Sequence, residues 1–133
     1  MKAYTDIKQS KKLAEILPLD SADMFYMAGK GEPLIIGNKS LAIGEDDYDA
    51  LGGPDVLSWS LTALLNVLPF HLIINNQRYA FSMVKGLNKN GETYAIKYAE
   101  FNTTFYFHLT DFYNNPIDAC YEMIIRLHEL NLL

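Results

Sequence analysis

Aromatic residues are concentrated between residues 79 and 113, and they are the strongest functional signal in the chain. Tyr94 and Tyr98 lie at equivalent positions of one predicted strand, and Tyr106 lies in the next strand. A helix layer covers one face of a sheet, so tyrosines on the other face stay uncovered, and exposed tyrosines are enriched in protein interfaces. We therefore predict that Tyr94, Tyr98 and Tyr106 bind a partner. The alternative is that cross-strand aromatic pairs stabilise the sheet.

The charge of the chain limits the partners that it can bind. Its net charge is −5, and lysines cluster only within residues 1–12. Nucleic-acid binding needs several clustered cations, so the sequence predicts no nucleic-acid partner. A second predicted contact surface for a protein is the acidic segment 44–56, which contains Glu45, Asp46, Asp47, Asp49 and Asp55.

Cofactor and metal motifs fail on their spacing. The segment Gly31–Ser40 resembles a phosphate-binding loop, but five residues separate its glycines, whereas the motif has four. Positions 45, 47 and 49 alternate like calcium ligands, but Val56 stands where a bidentate glutamate is needed. The residues His71, His108 and His128 lack metal-ligand spacing. We expect no cofactor and no metal.

Nucleophile motifs fail as well. Cys120 is predicted to lie on the buried side of the last helix, where Asp118 and Glu122 would raise its pKa rather than activate it. Ser58 and Ser60 lack the Gly-x-Ser-x-Gly elbow of hydrolases. We predict no catalytic residue, which favours a protein that is not an enzyme.

Three helices are predicted from apolar spacing and capping residues. The first covers residues 5–17, with Thr5 as its cap. The second follows a leucine stripe over residues 57–68, capped by Ser58 or Ser60 and ended by Pro69. The third begins with Asn115 as its cap and Pro116 as its first residue.

Between the last two helices, the apolar period changes to two. Short connections join the predicted strands, so they pair antiparallel as a meander. Two further short strands, 24–28 and 34–36, are candidates in an otherwise irregular stretch. The sequence thus predicts an α+β fold, with an antiparallel meander sheet of three to five strands and helices on one face.

The length of 133 residues suits a single globular domain over residues 1–133. No apolar run is long enough to span a bilayer, and the N-terminal stretch is interrupted by lysines. Cys120 is the only cysteine, which fits a reducing compartment. We expect a cytoplasmic protein with no membrane partner.

Two segments, WSLTALLNVLP (59–69) and NPIDACYEMIIRLHEL (115–130), carry a resemblance, together with residues 4–17. With them the chain resembles a family of short uncharacterised proteins of gut bacteria, often encoded near phage or mobile-element genes. The resemblance implies a bacterial, cytoplasmic protein, possible mobile-element origin, and no particular activity or site residue.

Two functions follow from these observations. The first is a small, non-catalytic interaction protein that binds a protein partner or a second copy of itself, as a homodimer. The alternative is an enzyme or small-ligand-binding protein with a pocket between the helices and the sheet. We favour the first, because each catalytic motif fails and the apolar C-terminal helix, which ends in Leu132 and Leu133, suits dimerisation as well as intramolecular docking.

Overall fold

The computed structural model describes residues 2–26, 33–35, 57–100 and 106–133, and for residues 33–35 and 106–108 it describes the backbone. Helices and antiparallel sheets are both present, so the predicted α+β class is confirmed. The chain divides into two compact units, Lys2–Leu64 and Leu65–Leu133. That the two units form a single domain stays a prediction.

The first unit combines a helix with a small sheet. Helix α1 (Ile7–Ile16) is followed by a 3-10 turn (Leu19–Ser21). Strand β1 (Met24–Tyr26) lies between β2 (Pro33–Ile35) and β3 (Leu57–Ser58), and both pairings are antiparallel. The two predicted strands, 24–28 and 34–36, are thus confirmed with slightly different bounds, 24–26 and 33–35.

Buried hydroxyl groups join α1 to β3. The Thr5, Ser10 and Ser58 side chains are fully buried, and the Thr5 Oγ1 atom lies 2.8 Å from Ser10 Oγ and 3.1 Å from Ser58 Oγ. The Trp59 backbone N–H donates to Thr5 Oγ1 at 3.1 Å, and the Tyr26 hydroxyl donates to the Thr5 carbonyl at 2.8 Å. Because each buried polar group has a partner, the network avoids the cost of an unsatisfied hydrogen bond.

Helix α1 is capped by Asp6, and the prediction that Thr5 caps it is wrong. The Asp6 carboxylate accepts from the Gln9 backbone N–H at 2.8 Å, and the Gln9 side chain accepts from the Asp6 N–H at 3.1 Å. This reciprocal pair is a capping box. The Thr5 hydroxyl does not cap the helix, because it forms its hydrogen bonds within the buried network.

Helix α2 (Leu61–Val67) is shorter than its leucine stripe predicts. The residues Leu57 and Ser58 pair with β1 instead of starting the helix. The Ser60 hydroxyl caps α2 by accepting from the Ala63 N–H at 3.3 Å, and it contacts the Asp23 carboxylate, which also accepts from the Ser60 N–H. Of the two predicted caps, Ser60 is therefore the correct one.

The second unit contains the predicted meander. Its strands β4 (His71–Ile74), β5 (Gln77–Asn88), β6 (Gly91–Glu100) and β7 (Tyr106–Leu109) pair antiparallel in chain order. Asn75 and Asn76, both with positive φ, connect β4 to β5, as in the two-residue turn whose twist matches a hairpin. The connection between β5 and β6 is short, because β5 continues to Asn88 and β6 begins at Gly91.

Helix α3 (Pro116–Glu129) packs against β6. Its predicted cap is confirmed, since the Asn115 side chain accepts from the Asp118 N–H at 2.9 Å. The Arg126 guanidinium donates to the Leu109 carbonyl at 2.6 Å and to Glu122 at 2.6 Å, and Glu122 accepts from the Asp111 N–H. These bonds fix α3 to the end of β7. A fully buried row of α3 consists of Ile117, Ala119, Cys120, Met123, Ile124 and Leu127.

The two faces of the four-stranded sheet differ in what they carry. Burial and the nearby Cys120 thiol of α3 raise the pKa of Tyr98, so α3 lies on the face of Tyr98. We name the opposite face the Arg78 face. The strand register shows which residues share it: His71, Ile73, Arg78, Ala80, Ser82, Lys97 and Ala99. One face therefore carries Tyr98 beneath α3, and the other carries the basic residues Arg78 and Lys97.

Burial of Cys120 makes stability depend on alkaline pH. Burial raises the pKa of the thiol from 9.0 to about 12, so the folded chain keeps a proton that the unfolded chain loses. The thiol's contribution is complete below pH 9 and is lost as pH rises from 9 towards 12, at up to ~1.4 kcal/mol per pH unit. We expect Cys120→Ala to have a smaller loss of unfolding free energy between pH 8 and pH 10.5 than the wild type, measured by urea titration. Equal losses in both proteins would contradict this account.

Candidate functional site

Tyr98 is fully buried, so the prediction that its ring stays uncovered is wrong. Its ring lies 5.8 Å from that of Phe81, the residue opposite it on β5, and its hydroxyl donates to the Pro69 carbonyl at 2.6 Å. The residue lies on the face that α3 covers. Tyr98 therefore fixes the start of β4 against β5 and β6 and cannot contact a partner directly.

Tyr94 is also buried, so the same prediction is wrong for it. Its hydroxyl donates to Glu92 at 2.8 Å, and this hydrogen bond raises the pKa of Tyr94. Its backbone pairs with Tyr113, which continues the line of β7. The third predicted residue, Tyr106, begins β7, and its side chain lies outside the described part of the structure.

The other predicted sites lie largely outside the described residues. The acidic segment 44–56 lies there, as do the calcium-like positions within it and most of Gly31–Ser40. Within the described ranges, no three His, Cys, Asp or Glu side chains are placed to share a metal ion. None of the helices found in those ranges has the length and hydropathy required to cross a membrane.

The exposed side of β4 is a feature that the aromatic pattern did not reveal. Phe70 is 83% exposed and Ile73 is 61% exposed, and both lie at the edge of the sheet. The Phe70 ring lies 6.3 Å from the His71 ring and is nearly perpendicular to it. Exposed large apolar side chains on one sheet edge are candidates for an interaction site.

The free backbone of β4 lies beside these side chains. The Phe81 N–H donates to the Phe70 carbonyl at 3.0 Å, so the backbone groups of Phe70, Leu72 and Ile74 are directed at β5. By the same alternation, the N–H and C=O groups of His71 and Ile73 are directed away from β5. In the described part of the chain, no other strand pairs with β4.

A pocket opens beside β4 on the Arg78 face. Its volume is about 380 Å³, and the described residues that line it are Phe70, His71, Arg78 and Ala80. Phe70 and Ala80 give it apolar walls, while the guanidinium of Arg78 adds one positive charge. This volume suits a ligand group or a large side chain.

Arg78 is exposed and lies directly opposite Ile73 in the β4–β5 pair. Its guanidinium forms no ion pair with any residue that the structure describes. Lys97 also projects from this face and likewise has no ion pair within those ranges. Among the described residues, Arg78 and Lys97 thus give this face a positive charge, on a chain whose net charge is −5.

Comparison with protein-family models, curated proteins and solved structures finds no match to this chain.

Substitution of Tyr98 tests whether this residue is structural. We expect Tyr98→Ala to lower the free energy of unfolding by about 3–5 kcal/mol, because it removes a fully buried ring. Tyr98→Phe should cost about 1–3 kcal/mol, because it leaves the Pro69 carbonyl without its donor. Both values come from urea unfolding followed by circular dichroism. If Tyr98→Ala unfolds at the wild-type urea concentration, the ring is not part of the core.

Proposed function

We propose that this chain is a non-catalytic interaction protein that binds an extended segment of a protein partner along β4. The observation that carries the proposal is the outer edge of β4, with which no described strand pairs and where the backbone groups of His71 and Ile73 are directed away from the sheet. An extended peptide can add to such an edge as a further strand, with main-chain hydrogen bonds for affinity and side-chain pockets for specificity.

The composition of β4 supports this proposal. Proteins usually protect an edge strand with lysine, proline or a bulge, because a free edge pairs with other chains. The sequence of β4, His-Leu-Ile-Ile, has none of these, and Ile73 at its centre is largely exposed. An apolar edge strand without lysine, proline or a bulge, and with Ile73 exposed, favours a role in binding.

The packing of the sheet keeps the proposed site in place without a partner. The Tyr98 hydroxyl holds the Pro69 carbonyl, and the Asn75-Asn76 turn closes the other end of β4. Because both ends of the strand are fixed, little conformational entropy is lost when a segment binds to it.

The cellular location and the class of partner are also part of the proposal. The single buried cysteine fits a reducing compartment, so we place the protein in the bacterial cytoplasm, in line with the resemblance to short gut-bacterial proteins. The acidic balance of the chain favours a protein partner over nucleic acid.

Panning of a phage-displayed random dodecapeptide library on the full chain tests this function. We expect enriched peptides whose synthetic versions bind the wild type and bind a Phe70→Ser/Ile73→Lys double variant at least tenfold more weakly, measured by fluorescence anisotropy. The variant loses an apolar anchor and gains an edge lysine, which opposes strand addition. Its stability should change by no more than about 1 kcal/mol, because both side chains are exposed.

The matched control is Leu87→Lys. Leu87 is 81% exposed, close to the value for Phe70, but lies near the opposite end of β5. We expect this variant to bind the selected peptides with wild-type affinity. Equal loss of binding in the control and the double variant would contradict a site at β4, and so would a selection that enriches no peptide.

A further inference from the structure

We infer that the segment bound along β4 carries a carboxylate two residues from an apolar side chain. The inference rests on the proposed function, and it adds the chemistry of the partner. Three features of the Arg78 face lead to it. Arg78 forms no ion pair with a described residue, an apolar pocket lies beside it, and His71 and Ile73 of β4 direct their backbone groups away from the sheet.

Arg78 supplies the preference for a carboxylate. It pairs with Ile73 across β4 and β5, so its side chain starts one strand inside the sheet edge. An added strand would lie about 4.8 Å beyond β4, and an arginine side chain is long enough to cross Ile73 towards it. A guanidinium binds a carboxylate through two parallel hydrogen bonds, which gives direction as well as charge. The position opposite Ile73 therefore favours aspartate or glutamate.

The pocket supplies the preference for an apolar side chain. The position opposite His71 lies next to the pocket, which is lined by His71 itself, Phe70 and Ala80. An aliphatic or aromatic side chain placed there would bury apolar surface without leaving a polar group unpaired. None of the described residues that line the pocket is a carboxylate, so none of them repels an acidic partner.

The spacing follows from strand geometry. The side chains of His71 and Ile73 lie on the same face, because alternate residues of a strand share a face. The partner residues opposite them share that face too, and they are also two positions apart. Read from its N-terminus, the recognised pattern is acidic-x-apolar when the partner strand runs antiparallel to β4 and apolar-x-acidic when it runs parallel.

A second copy of the chain fits this site less well. Two β4 strands paired with each other would bring together residues with no carboxylate, since the strand is His-Leu-Ile-Ile. Each Arg78 would then face an uncharged edge and approach the other copy's Arg78. The charge of the site therefore favours an acidic segment of another protein over self-association.

The test uses the peptides enriched by the wild-type chain, made synthetically with the acidic residue kept or replaced by its amide. We expect most enriched peptides to have Asp or Glu two positions from an aliphatic or aromatic residue. The acid-to-amide change should weaken binding to the wild type about tenfold, yet leave the affinity for Arg78→Gln nearly unchanged. Lys89→Gln, which makes the same charge change at an exposed site in the β5–β6 turn, should bind like the wild type.

The outcomes separate the two proposals. Peptides that need Phe70 and Ile73 but show no acidic preference, or an acid-to-amide effect that persists in Arg78→Gln, would overturn the carboxylate inference and leave strand addition at β4 intact. A wild-type dimer that Ile73→Lys converts to a monomer, seen by analytical ultracentrifugation, would make a second copy the occupant and overturn the inference. Peptides that bind independently of Phe70 and Ile73 would overturn both proposals.

Discussion

The hydrogen bond between the Tyr98 hydroxyl and the Pro69 carbonyl is the constraint on which the proposed site depends. Tyr98 lies near the end of β6, contacts Phe81 on β5, and lies close to Cys120 of α3. Through its hydroxyl it also fixes the residue before Phe70. A buried tyrosine needs such an acceptor, because an unpaired hydroxyl in the core is costly. The same bond that satisfies the core therefore positions the exposed edge.

Much of the fold could be predicted from local signals. The cap and first residue of α3 lie where Asn115 and Pro116 predict, and the period-two pattern predicts the meander. The start of α2 could not be predicted, because helical leucine spacing also describes Leu57, which pairs instead with β1. That choice depends on a strand more than thirty residues earlier in the chain, and tertiary pairing of this kind overrides local propensity.

The predicted site was less accurate than the fold, for a physical reason. Alternation shows that Tyr94 and Tyr98 share a face, but not which face the helix covers. The structure places α3 on the tyrosine side, which leaves small and basic residues on the other. A usable signal was present at residues 70–74, where an apolar strand without lysine or proline is the first of a meander and therefore lies at an edge. That Arg78 has no ion pair among the described residues depends on three-dimensional neighbours, which sequence spacing does not specify.

Residue-resolved amide hydrogen exchange, measured by NMR with and without an enriched peptide, tests strand addition at β4 most directly. The account predicts that the His71 and Ile73 amides exchange rapidly in the free chain and at least tenfold more slowly in the complex. The Leu72 amide, already directed at β5, should change little and serves as the internal control. A saturating peptide that leaves exchange at His71 and Ile73 unchanged would contradict the account.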